Sequence, residues 1–216
     1  MTVDLALLLL ADGRFPAGGH AHSAGTESAV RYGDVTDLAS LERFLAGRLA
    51  TAGRVDASFA SRACTFTPTA PTVDLDRLDR EYAARVASPR ARTVSRQLGR
   101  QFLRAARSVW PQPWLVGDRH QPVALGLAVA AAGGAPRDAA VLAYHHLAGA
   151  VTTAAVRMLG LDPLAAAGVH ARAVAALTID PAWATADPAD LPATTSTLAE
   201  ILAEDHGTWD ARLFVA

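Results

Sequence analysis

The sequence predicts an all-α fold, a single-domain bundle of about ten helices. Three observations predict it. Apolar residues recur at three- and four-residue spacing along most of the chain. Alanine, the best helix former, is the dominant residue. No stretch shows the sustained alternation and hairpin turns that strands require. With 216 residues, 51% hydrophobic and only 19% charged, much helix surface must be covered, within the chain or against a partner. There is no internal repeat and no obvious linker, so residues 1–216 are expected to form one domain.

Val3 to Ala11 reads as a short helix. Leu5 to Leu10 are apolar without interruption and need cover on more than one side. Pro16 and Gly18-Gly19 stop it in the loop Gly13–His20. Ser23 is placed to cap a helix to about Arg31, and Gly33 to end it. Thr36 or Asp37 opens an amphipathic helix whose core stripe is Leu38, Leu41, Leu45 and Leu49. Val55, Phe59, Ala63 and Phe66 mark a further helix, broken by Pro68 and Pro71. Leu75, Leu78, Tyr82 and Val86 give the next. Ser88-Pro89 is a cap followed by a first-turn proline, starting a helix with Val94, Leu98, Phe102, Ala105 and Val109 on its buried face. Arginines crowd its other sides, and Trp110-Pro111-Gln112-Pro113-Trp114 ends it.

Pro122–Ala132 is apolar and helical in pattern, closed by Gly133-Gly134. Pro136 opens the longest helix, to about Leu159, and Asp162-Pro163 opens one to about Leu177. The Pro- and Asp-rich Ile179–Pro192 reads as loop. A last helix runs from Thr194 or Thr195 to about His206, leaving a tail that ends Arg212-Leu213-Phe214-Val215-Ala216.

Composition excludes several function classes. The formal net charge is −1, so no global field favours nucleic acid or an acidic membrane surface. All 20 basic residues are arginine, which removes any P-loop, Schiff-base or general-base lysine. Cys64 is the only cysteine, so there is no intramolecular disulfide and no cysteine zinc cage. Leu5–Leu10 is too short to span a bilayer and too short for a signal peptide. The reading is a soluble cytoplasmic protein with neither nucleic-acid nor membrane partners.

The seven histidines are the natural place to look for metal. His20 and His22 stand two apart in one loop and, with Glu27, define an alternative reading: a helical metal-dependent hydrolase. His145 and His146 are adjacent on a helix and point about 100° apart, poor geometry for one ion. His120, His170 and His206 are isolated, and no metal site is assigned. Ser23 lies beside the histidines but lacks a Gly-x-Ser-x-Gly elbow, and Cys64 sits on an apolar helical face, as inert buried thiols do. No catalytic residue is assigned. Glu27 falls where a helix dipole favours a carboxylate; the other reading places it beside a buried passage or a partner. The arginines of the helix from Pro89 read as a solvated face. A third reading, a ligand-sensing regulator, needs a basic DNA-reading helix-turn-helix, and none is present. Arg157 inside an apolar run suits a buried interface, and the apolar Leu213-Phe214-Val215 at the tail must dock on its own domain or on another protein.

The segments Phe15-Pro16-Ala17-Gly18-Gly19 and His22-Ser23-Ala24-Gly25-Thr26-Glu27, after Leu7 and Asp12, resemble the N-terminal signature of the urease accessory protein F (UreF) family. Gly33-Asp34-Val35-Thr36-Asp37 with Leu41-Glu42-Arg43-Phe44-Leu45 continues the resemblance, as do Arg92 to Arg100, the helix Leu147 to Leu161 around Ala155-Val156-Arg157, and the terminal Arg212-Leu213-Phe214. The match runs through most of the chain in order. Two departures stand beside it: Met158-Leu159-Gly160-Leu161 lacks the Gln of the family's Pro-Leu-Gly-Gln run, and His206-Gly207 stands where the family often has His-Glu.

The resemblance implies an all-helical, non-enzymatic chaperone for nickel-urease maturation. Such proteins form homodimers, bind a UreD/UreH-type accessory protein, recruit a UreG-type GTPase and act on apo-urease. They hold no cofactor stably, nickel passing transiently through the complex, and modulation of the GTPase has been proposed for them. By resemblance Arg212 helps to recruit the GTPase, Leu213 and Phe214 beside it are partner-binding, Glu27, His22 and Ser23 lie near the partner contact or passage, and Arg157 lies near the dimer interface. Residues 1–20 and 207–216 are the expected partner-docking ends.

Overall fold

The computed structural model describes residues 5–69, 73–210 and 212–214. The expected helix start at Val3, the Pro71 break, the Val215-Ala216 end of the tail and the His20 side chain lie outside the described residues. Among the described residues every regular element is helical. The α-segments are α1 (Leu5–Ala11), α2 (Thr26–Arg31), α3 (Leu38–Arg48), α4 (Arg54–Ala63), α5 (Leu75–Arg85), α6 (Pro89–Val109), α7 (Gln121–Ala131), α8 (Pro136–Leu159), α9 (Pro163–Ala175) and α10 (Thr197–His206). α8 runs through the middle, packed on α4, α7, α9, α2 and α3, while α6 lies against α7 and α10.

Local chemistry sets most boundaries. Asp37 Oδ1 accepts the Ser40 N–H at 2.8 Å and Ser40 Oγ accepts the Asp37 N–H at 3.0 Å, a reciprocal cap that starts α3. Ser88 Oγ accepts the Ala91 N–H at 2.9 Å with Pro89 in the first turn of α6. The Asp162 carboxylate accepts from Leu164 and Ala165 at the start of α9. At the end of α2 the Gly33 N–H donates to Val30 O and the Asp34 N–H to Ala29 O, the paired closure that a left-handed Gly33 (φ 81°) permits.

Several expectations need correction. The helices expected either side of Gly53 are one rod, because a π turn over Leu49–Gly53 carries α3 into α4. Gly53 stays right-handed and lets the rod approach α8: a Cβ there would sit 3.0 Å from Leu147 and 3.3 Å from Tyr144. Phe66 lies beyond the end of α4, and Val109, expected on the buried face of α6, is exposed.

The arginines of α6 are not simply solvated. Arg96 pairs with the buried Asp79 at 3.0 Å, Arg100 with Asp118 at 2.6 Å, and Arg92 donates to the carbonyls of Val86 and Ala87. The Ile179–Pro192 loop also has order. Asp180 and Asp187 cap two short 3-10 turns, Trp183 and Leu191 are buried, and Arg85 donates to four of the loop's carbonyls.

The glycine inside the apolar α7 has a packing cause: a Cβ on Gly126 would lie 2.3 Å from Ala60 O, so its absence sets the α4–α7 distance. Cys64 is buried beside Gly134 O, and burial pushes its thiol up to about 12. α8 is long and apolar enough to cross a membrane by length and composition, but 56% of its most apolar stretch is buried inside the fold, as in the central helix of a bundle.

Candidate functional site

The loop between α1 and α2 aims one carboxylate inward. His146 fixes its first end, its Nε2 lying 2.8 Å from Leu10 O. A carbonyl only accepts, so this nitrogen carries the proton, and burial lowers the ring to about 4 and keeps it neutral. Phe15 then packs on Phe102 with ring centroids 5.3 Å apart. Ala24 (φ 52°) and Gly25 (φ 86°) both turn left-handed. For alanine this is a strained conformation. α2 therefore begins at Thr26 with Gly25, not Ser23, at its N-cap, while the buried Ser23 Oγ accepts the Glu27 N–H at 3.3 Å.

That turn buries Glu27, which is 4% exposed. Its Oε1 accepts the Leu213 N–H at 2.7 Å, and its Oε2 accepts the Phe214 N–H at 3.1 Å and lies 2.9 Å from His206 Nε2. Burial alone would raise this carboxyl. The Leu213 N–H, His206 and the Phe214 N–H together outweigh burial and hold it below the ordinary glutamate value. An ionised Glu27 has only acceptors, so Nε2 of His206 donates. His206 Nδ1 is buried without a hydrogen-bond partner among the described residues.

Neighbouring groups secure the same tail. Tyr32 Oη donates to Asp205 at 2.7 Å, as does Trp209 Nε1 at 2.9 Å. The Arg31 guanidinium lies 4.0 Å above the Trp209 ring and that of Arg157 4.8 Å from the Phe214 ring centroid. Glu204 accepts from Ser88 Oγ and from the Arg90 N–H, tying α10 to the start of α6.

The tail is thus docked on its own domain with a definite orientation. Phe214 is buried, Leu213 is 69% exposed, and Arg212 is exposed with no hydrogen bond or ion pair to the described residues. Arg157 is itself exposed and covers Phe214. His22 lines a cavity of about 680 Å³ whose wall also includes Leu10, Phe102, His206 and Phe214.

Glu27, Ser23, Leu213, Phe214 and Arg157 therefore meet in one place, with His22 on the adjoining wall. The sequence reading missed His206, Asp205, Tyr32 and Trp209, which complete the clamp. Glu27 and His206 lie 179 positions apart, and no local spacing links them. As a ligand for the alternative hydrolase, Glu27 has both oxygens engaged with the tail. His145 and His146 diverge as their spacing requires, one to the His170 ring (5.3 Å) and the other to Leu10 O. No group of three His, Cys, Asp or Glu is placed to hold a metal among the described residues.

Because the folded-state value of Glu27 lies below 4.5, its contribution to tail docking is complete above the unfolded value and is lost as pH falls through the folded one. Acidification below 4.5 is expected to release the Leu213 and Phe214 amides before the central helices melt, as followed by amide NMR against far-UV circular dichroism.

The UreF family model matches residues 35–174. The chain is 40% identical to the urease accessory protein UreF of Mycobacterium sp. (strain JLS), with 100% of both chains covered. The same identity and coverage hold for the urease accessory protein UreF of Mycobacterium marinum. Against that of Mycobacterium tuberculosis (strain H37Rv) the identity is 42%, over 76% of each chain. These relatives are named as accessory proteins, not as enzymes. With full-length identity at this level, and every regular element among the described residues helical, the chain belongs to the UreF family of urease accessory proteins.

Proposed function

We propose that this chain is a cytoplasmic chaperone of nickel-urease maturation. It pairs with a second copy of itself, binds a UreD/UreH-type partner and recruits a UreG-type GTPase, so that nickel enters apo-urease. The metal is handled transiently by the assembly, and this chain holds no cofactor stably. The observation that supports the reading most is the docked tail. A buried carboxylate holds two successive backbone N–H groups, and the same grip leaves the Arg212 guanidinium and the Leu213 side chain facing outward. A chain end held in one orientation with a free guanidinium is a presented recognition element. The other expected docking end fits the same picture, since α1 leaves Leu5, Leu8 and Leu9 exposed, an apolar surface suited to burial on a partner.

Co-expression with the UreD/UreH-type and UreG-type proteins tests this. The chain should co-purify with the first as a dimer-containing complex. Arg212→Ala should weaken recruitment of the GTPase by about tenfold or more, without changing the melting temperature. Undiminished capture of the GTPase by the variant would remove Arg212 from the role.

A further inference from the structure

The cavity that receives His206 and Phe214 has a second polar region that the urease reading does not use. The π turn at Leu49–Gly53 separates Arg48 from Asp56, and both side chains line the cavity together with Tyr82 and Glu200. Single π turns inside α-helices recur at functional sites.

Arg48 Nε is buried without a hydrogen-bond partner, and no nitrogen of this guanidinium comes within 4.0 Å of an acidic oxygen among the described residues. Asp56 and Glu200 are close enough to act on it through their charge. Each carboxylate has one oxygen engaged, Asp56 Oδ1 with Tyr82 Oη at 2.8 Å and Glu200 Oε2 with the Ser88 N–H at 2.7 Å. The other oxygen of each has no hydrogen-bond donor among the described residues. One guanidinium without acceptors and two carboxylate oxygens without donors thus share a wall. All three residues are half-buried in the wall, with Arg48 Nε itself buried, and desolvation raises the Asp56 carboxyl to about 6. Val55, Val94, Leu98 and Leu147 supply apolar wall in the same cavity, beside the polar Ser95 and Gln121 and the already paired Arg85.

A plain anion would meet two carboxylates, and a plain cation would leave Arg48 unpaired. A ligand carrying both charges on adjacent atoms satisfies the set. We propose that this wall binds a free α-amino acid with an apolar side chain, its carboxylate on Arg48, its ammonium on Asp56 and Glu200, and its side chain in the apolar part of the cavity. The cavity, about 680 Å³, lies within the range of small-molecule sites. The inference stands independently of the urease reading.

Isothermal titration of the full chain with L-leucine and L-phenylalanine tests it. Isocaproate, which lacks the ammonium, and isoamylamine, which lacks the carboxylate, serve as comparators. Saturable binding of an amino acid is expected, about tenfold or more tighter than either comparator. Arg48→Gln and Asp56→Asn should each weaken it by about tenfold; asparagine still offers Tyr82 an acceptor. If Arg48→Gln does not fold, Asp56→Asn and the comparators decide. No saturable binding of either amino acid, isocaproate binding as tightly as L-leucine, or folded variants binding like the native chain would overturn the proposal.

Discussion

Replacing Glu27 with alanine is expected to free the C-terminal tail and to remove most of the urease activation the chain supports, while leaving the central helices folded. The carboxylate accepts three hydrogen bonds from the tail region. Hydrogen bonds to a charged group contribute about 1.5–3 kcal/mol each and do not add fully, so the loss of tail docking is put at about 3–5 kcal/mol. The burial of Leu41, Leu45, Phe59, Leu125 and Val151 does not depend on Glu27, so the global melt should move far less. Glu27→Gln should behave almost like alanine. It keeps the volume but turns one acceptor into a donor facing donors. Urease activity after co-expression, set beside the thermal melt, separates the outcomes. Equal losses of activation and global stability would mean that Glu27 supports the fold itself, not the tail.

A second large effect is expected at Arg85, whose side chain is 8% exposed. Its Nε donates to Pro192 O at 3.0 Å, Nη1 to Glu81 at 2.7 and 2.8 Å, and Nη2 to the carbonyls of Pro188, Ala189 and Leu191 at 3.1, 2.9 and 3.2 Å. Its guanidinium also lies 5.1 Å from the Phe59 ring centroid. Arg85→Ala leaves those carbonyls and Glu81 without their donor. Breaking a buried charged set of this kind costs about 3–5 kcal/mol, which lowers the melting temperature of a chain this size by roughly 10 °C. Lysine should rescue little, because a single ammonium does not reproduce the planar fork. Thermal unfolding reads the result, and a shift within about 1 °C would show that the loop is held by its own 3-10 turns and by Trp183.

The parts of the fold legible in the sequence are those set by local chemistry. Asp37, Ser88-Pro89, Pro136 and Asp162-Pro163 start helices in the structure as their cap and first-turn chemistry dictates, because a cap needs only neighbours within three residues. The π turn was not legible, since the apolar stripes ending at Leu49 and starting at Val55 read as two helices, and the contact of Gly53 with Tyr144 and Leu147 that joins them is tertiary. The start of α2 was misplaced for a related reason: Ala24 adopts a left-handed conformation that its residue type does not announce. The family was legible through motifs scattered along the chain. What joins the first of those motifs to the last was not. Glu27 meets His206 and the tail only through tertiary packing, and neither residue carries a local mark of the other. Composition showed that Leu213 and Phe214 need cover without showing which side of each is covered.

Glu27 holds the tail in the free chain, and hydrogen exchange at the Leu213 and Phe214 amides tests that most directly. The expected result is protection of both amides in the native chain by about a hundredfold over an unfolded segment. That protection should be lost in Glu27→Gln while the amides of α8 exchange as before. Unprotected tail amides in the native chain, or equal protection in the variant, would contradict it.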